Sequence, residues 1–131
     1  MLSRKNVENA PKEGKIVSDG LEIGYLDWEL NGEDRKNLLV IHPNGFCAGM
    51  FDPMVHLISD HYRVIGVDLR GHGASEEVID ENLLGNDLMA SDVLKVMETL
   101  EVETFSILGV SLGGAIAVSY THLTLPTILL V

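Results

Sequence analysis

Phe105-Ser106-Ile107-Leu108-Gly109-Val110-Ser111-Leu112-Gly113-Gly114-Ala115-Ile116-Ala117-Val118 is the stretch that decides the fold. The run Phe105 to Leu108 reads as a short buried strand, and Ala115 to Val118 as the start of an apolar helix. Between them, Gly109 to Gly113 has the form G-x-S-x-G and must turn strand into helix around one residue. Such a turn forces Ser111 into a strained backbone conformation, tolerable only where the flanking positions lack a bulky Cβ. Glycines at both ends meet that need. The strain lifts the Ser111 hydroxyl above the sheet. The amide of Leu112, at the helix N-terminus, points toward any oxyanion formed there. A glycine-flanked serine by itself is also what a plain turn looks like, so its surroundings decide. Two phosphate-loop readings fail on inspection. Ala115-Ile116 stands where a Walker loop needs Lys and Ser/Thr, and Ser111 replaces the second glycine of a dinucleotide fingerprint.

Outward from the elbow, Leu38-Leu39-Val40-Ile41 and Val64-Ile65-Gly66-Val67 are unbroken apolar runs separated by amphipathic stretches. Parallel strands covered on both faces and joined by helices read this way. Between the two runs, Asp52 is expected as an N-cap with Pro53 in the first helical position, and Met54, Leu57 and Ile58 as the inward face. Farther on, Asn86 is expected to cap a helix whose Met89, Val93, Val96, Met97 and Leu100 recur at i, i+4, i+7, i+8 and i+11. At the other end, Lys15 to Ser18 and Leu21 to Leu30 flank Asp19-Gly20, a hairpin dipeptide. In the second strand Leu21, Ile23 and Tyr25 alternate with Glu22 and Gly24. The apolar phase then slips to Leu26, Trp28 and Leu30, as a bulge would cause, and Asn31-Gly32 closes the strand. A β-hairpin followed by βαβαβα is the result, an α/β architecture.

Two further loops carry candidate chemistry. Asp68-Leu69-Arg70-Gly71-His72-Gly73-Ala74-Ser75 follows the strand Arg63 to Val67. Its structural reading is that Asp68 and Arg70 satisfy loop amides and carbonyls otherwise buried unpaired. His42-Pro43-Asn44-Gly45-Phe46 follows Leu38 to Ile41, where Gly45 lets the backbone approach a ligand and Phe46 offers a second amide.

Together the three motifs resemble the α/β-hydrolase family over about residues 14 to 118. In order they match its opening hairpin, the oxyanion loop after the third strand, the D-x-R-G-x-G-x-S loop after the fourth and the nucleophile elbow after the fifth. The resemblance implies an N-terminal antiparallel hairpin, then parallel strands with helices on both faces, with the sheet incomplete at the C-terminus. It further implies Ser111 as nucleophile and the amides of Leu112 and Phe46 as the oxyanion hole. The activity implied is serine-dependent hydrolysis at a carbonyl, an ester or thioester of a small organic acid, with no cofactor and no metal. Many members have His-Gly adjacent before the oxyanion residue. Here Pro43-Asn44 separates His42 from Gly45, and His42 is expected to be structural. Serine at position 111 argues against the epoxide- and haloalkane-opening branches, which use aspartate there. A non-catalytic ligand-binding or receptor-like member is the alternative.

In this family the triad acid and histidine follow the serine in chain order. From Leu112 to Val131 there is no Asp or Glu, and the single histidine is His122. A continuous helix would place it about 16 Å along the axis from Ser111, against the roughly 3 Å of proton transfer, so it is not the base. His72 with Asp68 could supply an unusual order by geometry alone. Residues 119–131 resemble the translated read-through of a sequencing adapter. That divides the chain into a leader (1–13), the N-terminal part of a hydrolase domain (14–118) and a non-native tail (119–131), and makes the chain itself an inactive fragment. The competing reading ends the helix before Pro126 and makes Thr127 to Val131 a sixth strand. Without that strand, Phe105 to Leu108 would be an apolar edge prone to aggregation.

Composition narrows the partners. The 131 residues hold 20 acidic and 9 basic side chains for a net charge of -11. That lacks the basic footprint phosphate backbones or anionic lipids require, so neither nucleic acid nor membrane is expected, and a small-molecule substrate is. No run approaches the roughly 18 apolar residues of a membrane span, and the first fifteen hold no signal-peptide core, which points to a cytoplasmic location. Cys47 is the single cysteine, so no disulfide framework forms within the chain.

Overall fold

Asp19 and Gly20 take φ angles of 52° and 75°, the paired positive values a two-residue I′ hairpin needs. In the computed structural model, which describes residues 10–30, 35–123 and 127–130, they join β1 (Lys12–Ser18) to β2 (Leu21–Trp28). The strand β1 thus begins ahead of the Lys15 expected. The pairing runs from Lys12 opposite Asp27 to Ser18 opposite Leu21 with no inserted residue, so the expected bulge does not form. The phase slip has another cause. β2 lies inside the sheet, and Ile23 and Tyr25 pack into the core on one face while Leu26 and Trp28 pack into the core on the other. Asn31-Gly32, like residues 1–9, lies outside the described residues.

The remaining strands are β3 (Lys36–Ile41), β4 (Tyr62–Val67), β5 (Ser106–Gly109) and β6 (Thr127–Leu130). They form one sheet in the order β1-β2-β4-β3-β5-β6. β2 runs antiparallel to β4, and β4, β3, β5 and β6 run parallel. Alternation along the parallel strands feeds two cores. Leu39, Ile41, Ile65 and Val67 face α2 (Asn86–Thr99) and α3 (Leu112–Leu123), whereas Leu38, Val40 and Val64 face α1 (Asp52–Ile58). β6 occupies the far side of β5, from Thr127 opposite Ser106 to Leu130 opposite Gly109. The expected β5 edge is therefore paired. Tyr120 of α3 is buried edge-on to Phe105 with ring centroids 5.8 Å apart. Burial, reinforced by Glu98, pushes its hydroxyl pKa up to about 12.

Both expected helix caps shift by one position. A 3-10 turn, Ala48–Phe51, runs directly into α1, so Asp52 is helical and its carboxylate accepts from Trp28 Nε1 at 2.9 Å. Gly85, not Asn86, caps α2, its carbonyl accepting from the Met89 amide at 3.1 Å. In α1 the inward residue is Val55, with Phe51, Met54 and Ile58 at i-4, i-1 and i+3 around it. Leu57, expected inside, is 86% exposed. In α2, Met89, Val93, Val96 and Met97 are buried as expected with Leu100 packed beside them. Among the described residues no helix is long and apolar enough to cross a membrane.

Candidate active site

β5 ends at Gly109 and α3 begins at Leu112, leaving Val110 and Ser111 to make the turn. Ser111 adopts φ 56°, a left-handed angle that costs a serine on the order of 1 kcal/mol and persists only where the surroundings enforce it. Those surroundings are backbone. A Cβ on Gly109 would collide with the Gly113 carbonyl, and one on Gly113 with the Ile41 carbonyl. The turn is closed by Val110 N–H donating to Ile41 O at 3.2 Å and Gly113 N–H to Val110 O at 3.0 Å. Ser111 is left exposed, and among the described residues no side chain hydrogen-bonds its hydroxyl. Leu112 opens α3, so no earlier helical turn engages its amide.

The oxyanion loop starts where the elbow presses on β3, since Gly113 abuts the carbonyls of both Ile41 and His42. Ser111 and the loop holding Phe46 are therefore carried by adjoining strand ends. Within the loop, Gly45 takes φ 84° and the Phe46 amide donates to Pro43 O at 3.2 Å. That amide, expected as the second oxyanion donor, donates within its own turn. His42 is fully buried. Its Nε2 accepts from the Leu69 amide at 3.0 Å, which leaves Nδ1 to donate to Pro43 O at 2.8 Å. Burial holds its pKa below the usual value, outweighing the Pro43 bond, which raises it. His42 is a neutral structural brace.

The D-x-R-G-x-G-x-S loop is structural too. Asp68 accepts from the amides of Ala48 at 2.7 Å and Ala74 at 3.0 Å. Its carboxyl fills the space a Cβ on Gly73 would take. Ser75 Oγ donates to Asp68 O at 2.5 Å and accepts from Gly24 N–H at 2.9 Å, stitching the loop to β2. Arg70, 0% exposed, binds Asp92 through Nε at 2.7 Å and Nη2 at 2.8 Å and reaches Leu83 O at 3.0 Å. Ser18 Oγ donates to the same Asp92 at 2.6 Å. The Asp92 bond raises the Arg70 pKa further. His72 contacts Arg70 O at 3.0 Å and Asn44 Oδ1 at 3.1 Å rather than Asp68, so those two make no hydrogen-bonded pair. Sequence reasoning missed Asp92. Its signal was a carboxylate one residue before Val93 on an otherwise apolar helix face.

A cavity of about 510 Å³ opens on the hairpin side, lined by Tyr25, Leu26, Cys47, Asp68 and neighbours, with neither Ser111 nor Phe46 in its wall. Among the described residues no group of three His, Cys, Asp or Glu side chains is placed to hold a metal ion.

Known proteins fit this geometry. A sequence model described as alpha/beta hydrolase fold matches residues 36–128. The chain is 37% identical over 98 residues to the magnesium-chelatase 30 kDa subunit of Rhodobacter capsulatus, covering 72% of this chain and 34% of that protein. It is 34% identical over 93 residues to 3-oxoadipate enol-lactonase 1 of Acinetobacter baylyi, covering 70% and 34%. The thioesterase domain from the curacin biosynthetic pathway superposes with a TM-score of 0.81 over 94% of this chain and 46% of that one, a likeness of fold at 21% identity. The chain spans about a third of the length of these curated relatives. With its central and C-terminal parts matched and the elbow in place, the chain belongs to the alpha/beta hydrolase fold family.

Proposed function

We propose that the protein carrying this sequence is a serine-dependent hydrolase acting on a carbonyl, an ester or thioester of a small organic acid. The observation that carries the reading is Ser111 at φ 56°, exposed at the mouth of α3 on a turn that two glycines alone allow to press on β3. In the mechanism, Ser111 Oγ attacks the carbonyl carbon and gives up its proton to a general base. The Leu112 amide holds the charge that develops on the carbonyl oxygen. Phe46 adds a second donor when its amide turns from Pro43 O. The leaving group departs protonated, and water releases the acyl group from Ser111. The base and its orienting acid come from positions after the elbow, as in the family. Residues 112–131 contain no carboxylate side chain, so the 131-residue chain alone is expected to turn over poorly. The enol-lactonase relative, whose name denotes ring-ester opening, supports this chemistry.

The test is p-nitrophenyl acetate and acetyl-thioester hydrolysis by the complete gene product, wild type against Ser111→Ala. Loss of about 10³-fold or more in kcat is expected for the variant. Equal rates in the two proteins would refute the proposal. A second reading, a non-catalytic ligand-binding member, is favoured by the engaged Phe46 amide. It predicts no turnover by the complete protein.

A further inference from the structure

The Pro43–Phe46 turn carries one polar side chain, Asn44, and its amide meets Nε2 of His72 at 3.1 Å. We propose that His72 is a positioning residue: through Asn44 it fixes the turn that holds the Phe46 amide, and so sets how that amide is presented to an oxyanion. The kinetic part of this proposal rests on the hydrolase reading above.

His72 is suited to the task because its own support is rigid. Its Nδ1 lies 3.0 Å from Arg70 O, and Arg70 is fully buried with its guanidinium held by Asp92. Arg70 O can only accept, so the ring donates from Nδ1. The planar amide of Asn44 is equivalent in shape either way round, so it can offer Nε2 either its NH2 group or Oδ1. The ring also packs on His42, centroids 5.0 Å apart, and His42 is pinned between Leu69 N–H and Pro43 O.

The other end of the turn explains why such a hold matters. Pro43 O accepts two donors, His42 Nδ1 at 2.8 Å and the Phe46 amide at 3.2 Å. The Phe46 bond is the longer of the two, so its amide is the more loosely held. It is the one free to re-aim. With Gly45 at φ 84° as the pivot, the rest of the turn must stay still for that amide to swing onto a defined point. Asn44, adjacent to the pivot and tied to His72, supplies the fixed end.

The experiment compares His72→Asn, His72→Gln, Asn44→Ala and the double variant His72→Asn/Asn44→Ala in the complete gene product. Asparagine reproduces the Nδ1 contact with Arg70 O but is too short to reach Asn44, whereas glutamine reaches it. His72→Asn and Asn44→Ala are each expected to lower kcat about tenfold with KM unchanged, the size of a misaimed oxyanion donor. The double variant should lose no more than either single one, and His72→Gln should retain most of the rate. Deuterium exchange read by mass spectrometry on the peptide spanning 42–47 supplies a readout independent of turnover. It is expected to speed up about tenfold in His72→Asn and Asn44→Ala but not in His72→Gln. Unchanged exchange in the first two, or equal losses in all three single variants, would overturn the positioning role. Failure of Ser111→Ala to affect turnover would instead strike the hydrolase reading and leave the exchange result to decide this one.

Discussion

Truncating Arg70 to alanine removes the partner of a carboxylate that has nowhere else to go. Asp92 is 0% exposed, and it takes charge-assisted bonds of 2.7 and 2.8 Å from the guanidinium, leaving only the Ser18 hydroxyl when Arg70 is lost. An uncompensated buried charge of this kind costs about 3–5 kcal/mol. For a chain of this size that corresponds to a thermal midpoint roughly 10–20 °C lower. The loss is larger than any surface ion pair can account for, because exposed pairs contribute about 0–1 kcal/mol. Urea denaturation followed by tryptophan fluorescence reads it, since Trp28 is fully buried in the core beneath α1. The control is Arg70→Met combined with Asp92→Leu, which removes both charges and is expected to fall within about 2 kcal/mol of wild type. An Arg70→Ala variant less than about 1 kcal/mol below wild type would refute the reasoning. So would a double variant that is the least stable of the set.

Four further outcomes follow from the same structure. Gly113→Ala should cost about 3 kcal/mol or more or abolish folding, because its Cβ meets the Ile41 backbone. Gly49→Ala, whose Cβ finds only Cys47 Sγ at 3.8 Å, should lie within about 0.5 kcal/mol by the same denaturation assay. Val55→Ala should cost about 2 kcal/mol, whereas Leu57→Ala should be neutral within about 0.5 kcal/mol, the two residues being 0% and 86% exposed. His42 has a lowered pKa in the folded state, so only the unfolded chain takes up its proton as pH falls below the ordinary value of 6.5. Its contribution is thus complete above about pH 6.5 and is lost as pH falls toward the folded value, with a slope of up to about 1.4 kcal/mol per pH unit. Denaturation midpoints of wild type and His42→Gln between pH 5 and 8 would show it, the variant lacking that slope. Asp68→Ala, which orphans the Ala48 and Ala74 amides, should cost about 2–4 kcal/mol in the same assay.

The features legible in the sequence are those whose constraint is local. G-x-S-x-G announces the elbow because the glycines at 109 and 113 answer a steric demand arising within five residues, and Asp19-Gly20 announces the hairpin for the same reason. The α2 seam is legible because helical periodicity repeats. What stayed hidden depends on partners far away. Asp92 makes sense only once Ser18, 74 residues distant, and Arg70 arrive beside it. The slip in β2 looks like a bulge until β4 pairs with it and both faces are seen to be covered. Leu57 and Val55 are equally apolar, and the 3-10 turn ahead of α1 decides which faces the sheet. The Phe46 amide reads as an oxyanion donor, but nothing in HPNGF reveals that Pro43 O also accepts from it.

A fluorophosphonate probe bears most directly on Ser111, since it reacts fastest with a serine whose hydroxyl is activated and whose adduct oxygen is held by nearby amides. Mass spectrometry of the labelled complete gene product is expected to place one adduct on the peptide containing Ser111, with labelling abolished in Ser111→Ala. An adduct on another residue, or a complete protein that stays unlabelled, would contradict the assignment.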